Sequence, residues 1–231
     1  MPKLIKFDYL SKYKLEYLAR YRYWIKIIKA LLEKNQTSIE NILDIGCQYG
    51  IFKDLLGKEL NLKIIGVDSN KRLINQKRDI YYGYCHKMPF ENHNFDFITL
   101  ISVFEHIHPT IHEESIKEIN RVLKLNGLLF VQIPNPKFPI EFHSRLPFFG
   151  YLPESVQLKY LKLFRKERSF WSIDLKLFTN LAIKNGFEVL EVENYAYPKD
   201  VVPKKFRPFY FITRFFPMGY YSLYIKKVDF Q

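Results

Sequence analysis

Asn41-Ile42-Leu43-Asp44-Ile45 is a short apolar run that breaks at Gly46-Cys47-Gln48-Tyr49-Gly50, after which Ile51, Phe52, Leu55 and Leu56 recur at helical spacing. The pattern reads as strand, tight turn, helix. A second apolar run over 62–67 ends at Asp68 and is followed by a polar stretch, 69–78, long enough for a helix of its own. Further strands are expected over 79–84, 95–101 and 127–133, with Ile116, Ile119, Val122 and Leu123 on one helical face of the segment 112–125. Strands alternating with helices predict a mostly parallel sheet covered on both faces, with ligands bound at the carboxyl ends of its strands. Gly46 to Gly50, Asp68, Tyr84-Cys85 and Ser102 to His106 all fall there.

Two glycines in a strand-to-helix turn let the main chain bend sharply and approach a ligand near an amide-rich helix start. A carboxylate at the next strand's end, Asp68, suits the paired hydroxyls of a ribose. Together they describe a nucleoside pocket. A dinucleotide site wants Gly-x-Gly-x-x-Gly, whereas this turn is Asp-x-Gly-x-x-x-Gly, with Asp44 placed to repel a pyrophosphate. A sulfonium nucleoside has no phosphate to repel.

Asp44-Ile45-Gly46-Cys47-Gln48-Tyr49-Gly50, Gly66-Val67-Asp68, Met88-Pro89-Phe90 with Phe95-Asp96, Phe104-Glu105-His106-Ile107 and Arg121-Val122-Leu123-Lys124-Leu125-Asn126-Gly127 match motifs in order and spacing. The chain thereby resembles the class I S-adenosylmethionine-dependent methyltransferases of the ubiquinone-biosynthesis-like, or type 11, group. The resemblance covers about residues 40–135. It implies an α/β fold with a Rossmann-like sheet of seven strands, mostly parallel with an antiparallel last strand and helices on both faces. Segments 186–194 and 221–228 are the natural sixth and seventh strands. It also implies S-adenosyl-L-methionine as cofactor, held by Asp44, Gly46, Cys47, Gln48, Gly50, Asp68, Ser69, Tyr84, Cys85, Met88, Ile101 and Ser102. Two residues depart from the family pattern: Gln48 stands for a glycine, and Tyr84 for an acid that accepts from the adenine amino group. Gln48 reaches the methionine end of the cofactor or points to solvent. The backbone around Cys85, or stacking by Tyr84, replaces the missing acid.

Methyl transfer needs acceptor, methyl and sulfur in line, and a hydroxyl acceptor gains from a general base, for which histidine is suited near neutral pH. His106, just past the fourth strand, is one candidate, with Glu105 orienting its surroundings; the alternative is a helix start that only closes over the cofactor. His143 is the second, in a segment after Pro134 that resembles, more loosely than the core does its family, an insertion of methyltransferases associated with cell-surface glycan synthesis; the alternative is a packed surface histidine. His106, His108 and His112 are close in sequence, but Pro109 interrupts any regular helix between them and no acid is well spaced, so no metal site is expected. Cys47 and Cys85 are too few for a disulfide framework and are expected as free thiols.

The net charge of +12 sits outside the neutral stretch 41–134, where eleven Lys/Arg balance eleven Asp/Glu. Residues 1–40 carry +5 and residues 135–231 carry +7. Basic flanks suit an anionic partner, or serve solubility alone. In the first flank Tyr13, Tyr17, Tyr21, Trp24, Ile28 and Leu31 or Leu32 recur every three to four residues, an amphipathic helix expected to pack on its own domain. In the second, residues 206–217 mix aromatics with Arg between prolines, suited to an amphipathic acceptor or a bilayer interface. One methyltransferase domain is expected over 1–231: a basic aromatic flank to residue 40, the cofactor core over 41–134, an acceptor-site insertion and helix over 135–185, and closing strands with an aromatic loop over 186–231. No secretory signal or membrane span is read, so the expected location is cytoplasmic, with peripheral membrane contact left open. The acceptor expected is a glycan, a lipid-linked sugar or another amphipathic hydroxyl compound. RNA or protein methylation is the alternative, against which stands the lack of an Asn/Asp-Pro-Pro-Tyr/Phe motif, and a catalytically silent cofactor-binding subunit is another.

Overall fold

In the computed structural model, α1 (Asp8–Lys34) precedes β1 (Ile42–Ile45), α2 (Ile51–Leu60), β2 (Ile64–Asp68), β3 (Ile80–Tyr82) and β4 (Phe95–Ile101). These are followed by α3 (His112–Val122), β5 (Leu123–Pro134), α4 (Glu154–Leu163), α5 (Leu175–Lys184), β6 (Phe187–Tyr195) and β7 (Gly219–Lys226). The structure describes residues 8–36, 38–202 and 204–227, with side chains from Tyr17 onward apart from residues 205 and 206. The strands form one sheet in the order β3-β2-β1-β4-β5-β7-β6. The pairs β1–β2, β1–β4, β2–β3 and β4–β5 are parallel, and β7 runs antiparallel between β5 and β6. The expected seven-stranded sheet with an antiparallel last strand is the one found.

Alternation along β5 shows how both faces are covered. Leu128 and Phe130 enter a core with Trp24, Ile28 and Leu56 from α1 and α2, while Leu129, Val131 and Ile133 enter another with Ile116, Ile119, Phe178 and Ala182 from α3 and α5. The part of β5 buried on both faces, 128–133, is accordingly apolar but for Gln132. The stripe Trp24, Ile28, Leu31 and Leu32 is therefore core, as the helical spacing predicts, and the Trp24 indole N–H donates to the Tyr197 hydroxyl at 3.0 Å. Tyr17, on the same stripe, is exposed, and the side chain of Tyr13 lies outside the described residues.

Several boundaries differ from expectation, the third strand among them, which spans Ile80–Tyr82 rather than 79–84. Residues 69–78 form no α-helix but two single 3-10 turns, Lys71–Leu73 and Gln76–Arg78, with no buried residue in either. A stretch with so little apolar surface gains nothing from packing a helix. α3 ends at Val122 and β5 begins at Leu123, earlier than Gly127, because Leu123 already pairs with Phe95. The closing strand starts at Gly219 and ends at Lys226, and Val228 of the predicted strand lies outside the described residues. Within the segment after β5, Leu146, Phe149, Leu161 and Phe170 build a small core of their own. Among the described residues no helix is long and apolar enough to cross a membrane.

Candidate active site

The turn that leaves β1 is held in the left-handed region at three positions, Gly46 (φ 70), Gln48 (φ 49) and Gly50 (φ 69). A Cβ on Gly46 would stand 2.4 Å from Cγ2 of Val103, so the residue after β4 presses on this glycine from within the protein. The glycine is needed for that packing as well as for its backbone angle. Asp68, buried at the end of β2, accepts the amides of Gln48 and Asn70, both at 2.8 Å. The carboxylate thus fixes the turn, and it retains acceptor capacity for a diol. Asp44 is buried beneath it and accepts the Thr99 hydroxyl at 2.8 Å. Burial pushes the Asp44 carboxyl up to about 7, with Thr99 and Lys53 pulling down and Asp68 pushing further up.

The remaining residues expected at the cofactor lie along the same edge. Ser69 follows β2, Tyr84, Cys85 and Met88 follow β3, and Ile101 and Ser102 close β4. Gln48 is exposed, its amide committed to Asp68. Tyr84 is exposed too, its ring stacked on His86 at 5.4 Å and its hydroxyl taking that of Tyr82 at 2.8 Å. The Cys85 thiol, pushed up to about 12 by burial, turns toward Ser115 and Glu118. Burial raises the Cys47 thiol as well, and both cysteines are free. Such thiols are unreactive.

Beyond this edge the chain brings together the two histidines separated in sequence. The rings of His106 and His143 meet edge to face at 4.7 Å, and Nε2 of His143 lies 3.7 Å from Oε1 of Glu105. Glu105 is 4% exposed, and neither of its oxygens has a hydrogen-bond partner. Burial pushes its carboxyl up to about 8. Burial also holds His143 below its ordinary value, against the upward pull of Glu141 and with a further push down from His106. Residues 141–149 and 170 supply the roof: His143 stacks on Phe170 at 4.9 Å, and Glu141 accepts Nδ1 of His143 at 3.0 Å and the amide of Ser144. His108 and His112 are elsewhere, the former bonded to Thr110 and the latter to the Ile107 carbonyl.

Several residues of this region escape a sequence reading. Ser102 donates to Gln132 at 2.6 Å, and Gln132 donates to the Tyr195 hydroxyl at 2.7 Å. The signal was present, since Gln132 interrupts the apolar run 128–133. The Arg20 guanidinium lies over the rings of Tyr17 at 5.9 Å and Tyr197 at 5.3 Å, with its Nε buried and unpaired. Tyr21, one turn from Tyr17, has its hydroxyl pushed up to about 12, by burial first and next by the charge of Asp44. The N-terminal helix therefore borders the site.

The sheet order and the acidic, glycine-turned edge are those of a class I S-adenosylmethionine-dependent methyltransferase. A methyltransferase-domain family model matches residues 16–192, and the chain belongs to this family. Among solved structures it is similar to an S-adenosylmethionine-dependent methyltransferase of Methanosarcina mazei, 18% identical, with a TM-score of 0.58 over 86% of this chain and 98% of that one. A methyltransferase of the same cofactor from Mesorhizobium loti is 14% identical, with a TM-score of 0.62 over 85% and 96%. Phosphoethanolamine N-methyltransferase 2 of Haemonchus contortus, in complex with phosphomonomethylethanolamine and S-adenosylhomocysteine, is 16% identical, with a TM-score of 0.58 over 99% and 62%. At these identities the likeness is one of fold. An uncharacterized protein of Methanocaldococcus jannaschii is 33% identical over 96 residues, 41% of this chain and 40% of that protein. Histidine–tRNA ligase of Clostridium acetobutylicum is 30% identical over 146 residues, 59% and 34%. The chain spans half or less of the length of the curated relatives it matches.

Proposed function

We propose that the enzyme methylates a hydroxyl of an amphipathic acceptor, with a glycan or lipid-linked sugar as the favoured class. The observation that carries this reading is the meeting of the buried Glu105 with two imidazoles beyond the carboxyl ends of β4 and β5. Asp68 would hold the ribose diol and the turn 46–50 the amino-acid end of the cofactor, which supplies an activated methyl group when bound. Glu105, His106 and His143 would seat the acceptor hydroxyl and favour loss of its proton, Glu105 being buried under the roof and His106 open to the solvent side.

The amphipathic character of the acceptor is supported by exposed aromatic and aliphatic side chains in both segments that follow β5. Phe148 (62%) and Leu163 (76%) stand near Arg145 and Lys162 in sequence, and Phe211 (59%) and Phe215 (75%) near Arg207 and Arg214. Apolar rings beside cations suit a molecule, or a bilayer surface, that offers both chain and anionic head. One domain over 1–231, with the flanks choosing the acceptor, follows from the same reading. The test is incubation with methyl-labelled cofactor and separately fractionated lipid, glycan, RNA and protein extracts. Label in the lipid or glycan fraction is expected. Label confined to RNA or protein overturns the reading.

A further inference from the structure

Beside the roof the Glu105 carboxyl faces the ring nitrogens of His143 and His106. Nδ1 of His143 donates to Glu141, so Nε2 carries the lone pair, and it points at Oε1 of Glu105 from 3.7 Å. His106 has the same arrangement: its Nδ1 is 2.6 Å from the Ser169 carbonyl, which only accepts, leaving Nε2 as the acceptor. One ligand-capable atom from each of Glu105, His106 and His143 lies within 4.8 Å of the other two. Both Glu105 oxygens are buried without a partner. A cavity of about 20 Å³, enough for one ion or water, is lined by Glu105, Glu141, His143 and Asn135 together with Phe170 and Ile173, and His106 stands outside that lining.

We propose that Glu105, His106 and His143 bind one divalent transition-metal ion, with Glu141 and the Ser169 carbonyl orienting the two imidazoles and the remaining coordination positions open to an acceptor oxygen. Two imidazoles and one carboxylate form a ligand set for ions such as Mn²⁺, Co²⁺ or Zn²⁺, and an outer hydrogen bond to the second ring nitrogen is the usual companion of a ligating histidine. Bonds of about 2.1 Å bring neighbouring ligand atoms roughly 3–3.5 Å apart. The 3.7 Å between Glu105 and His143 is nearly there, and an ion would draw the exposed side chain of His106 in toward them. The histidines so assigned act as ligands, and the ion makes a bound hydroxyl easier to deprotonate. Only this last point rests on the hydroxyl reading above; binding of the ion does not.

The experiment dialyses the full chain against chelator and titrates Mn²⁺, Co²⁺ and Zn²⁺ by calorimetry, following the visible absorption of Co²⁺ as a report on imidazole ligation. Expected is one ion per chain. Binding is lost in Glu105→Gln and His143→Ala, falls roughly 10- to 100-fold in Glu141→Gln, and is retained in His108→Ala. Binding of S-adenosylhomocysteine by each variant checks that it has folded. A chain that takes up no ion, or variants that take it up as tightly as the parent, overturns the proposal. One ion bound with no label on any lipid or glycan leaves the site standing and removes the hydroxyl reading alone.

Discussion

The side chain of Gln132 on β5 donates to the hydroxyl of Tyr195 at the end of β6, 2.7 Å away, while its own carbonyl accepts from Ser102 at the end of β4. Since β7 lies between β5 and β6, this bridge ties the sheet together above its backbone ladder. Replacing Gln132 by Leu takes a partner from the buried Tyr195 hydroxyl, while the exposed Ser102 can turn to water. A loss of about 1–3 kcal/mol in denaturant unfolding is expected. The double variant Gln132→Leu, Tyr195→Phe should cost less than the sum of the two singles, and strict additivity would show that the bond carries no coupling.

Asp68→Ala is expected to weaken S-adenosylhomocysteine binding by about 1.5–3 kcal/mol for each charge-assisted hydrogen bond lost. Because Asp68 also anchors the amides of Gln48 and Asn70, the ligand-free variant should unfold at a lower temperature as well. Calorimetry and a thermal melt read the two effects separately. Unchanged affinity would remove Asp68 from the cofactor site.

Gly46→Ala combines backbone strain with a collision. A left-handed residue bearing a Cβ costs roughly 1–2 kcal/mol, and this Cβ would also overlap Val103 at 2.4 Å. Adding Val103→Ala should recover the collision and leave the strain. Thermal melts of the single and double variants check it, and no recovery in the double would mean that Val103 is not the obstacle.

The pH dependence of stability carries the signature of Asp44. Its carboxyl in the folded protein stands at about 7, above the ordinary carboxylate range, so folding favours the protonated form. That contribution is complete at pH below the unfolded value and is lost as pH rises through 7, at about 1.4 kcal/mol per pH unit over the interval between. Lys53, Asp68, Tyr21 and Cys47 are the titratable groups that share its surroundings. Urea unfolding of the cofactor-free protein should therefore show a steeper loss from pH 5 to 8 than Asp44→Asn. Parallel curves would show that Asp44 stays ionised throughout.

What could be read without coordinates is what depends on neighbours in the chain. The strand at 42–45, the turn through Gly46 and Gly50, the carboxylate at Asp68 and the stripe from Trp24 to Leu32 each announce themselves through spacing, because turn geometry and burial of one helix face are local requirements. The same logic overreached at 69–78, where length alone predicted a helix and the absence of an apolar face decided against it. Tertiary structure alone decided that His106 would meet His143, that Glu105 would be buried without a partner, and that Arg20 would lie over Tyr197. Those meetings depend on the course of the roof between β5 and α5 and on where α1 docks. Such contacts are bought by burying surface far apart in sequence, so no periodicity records them.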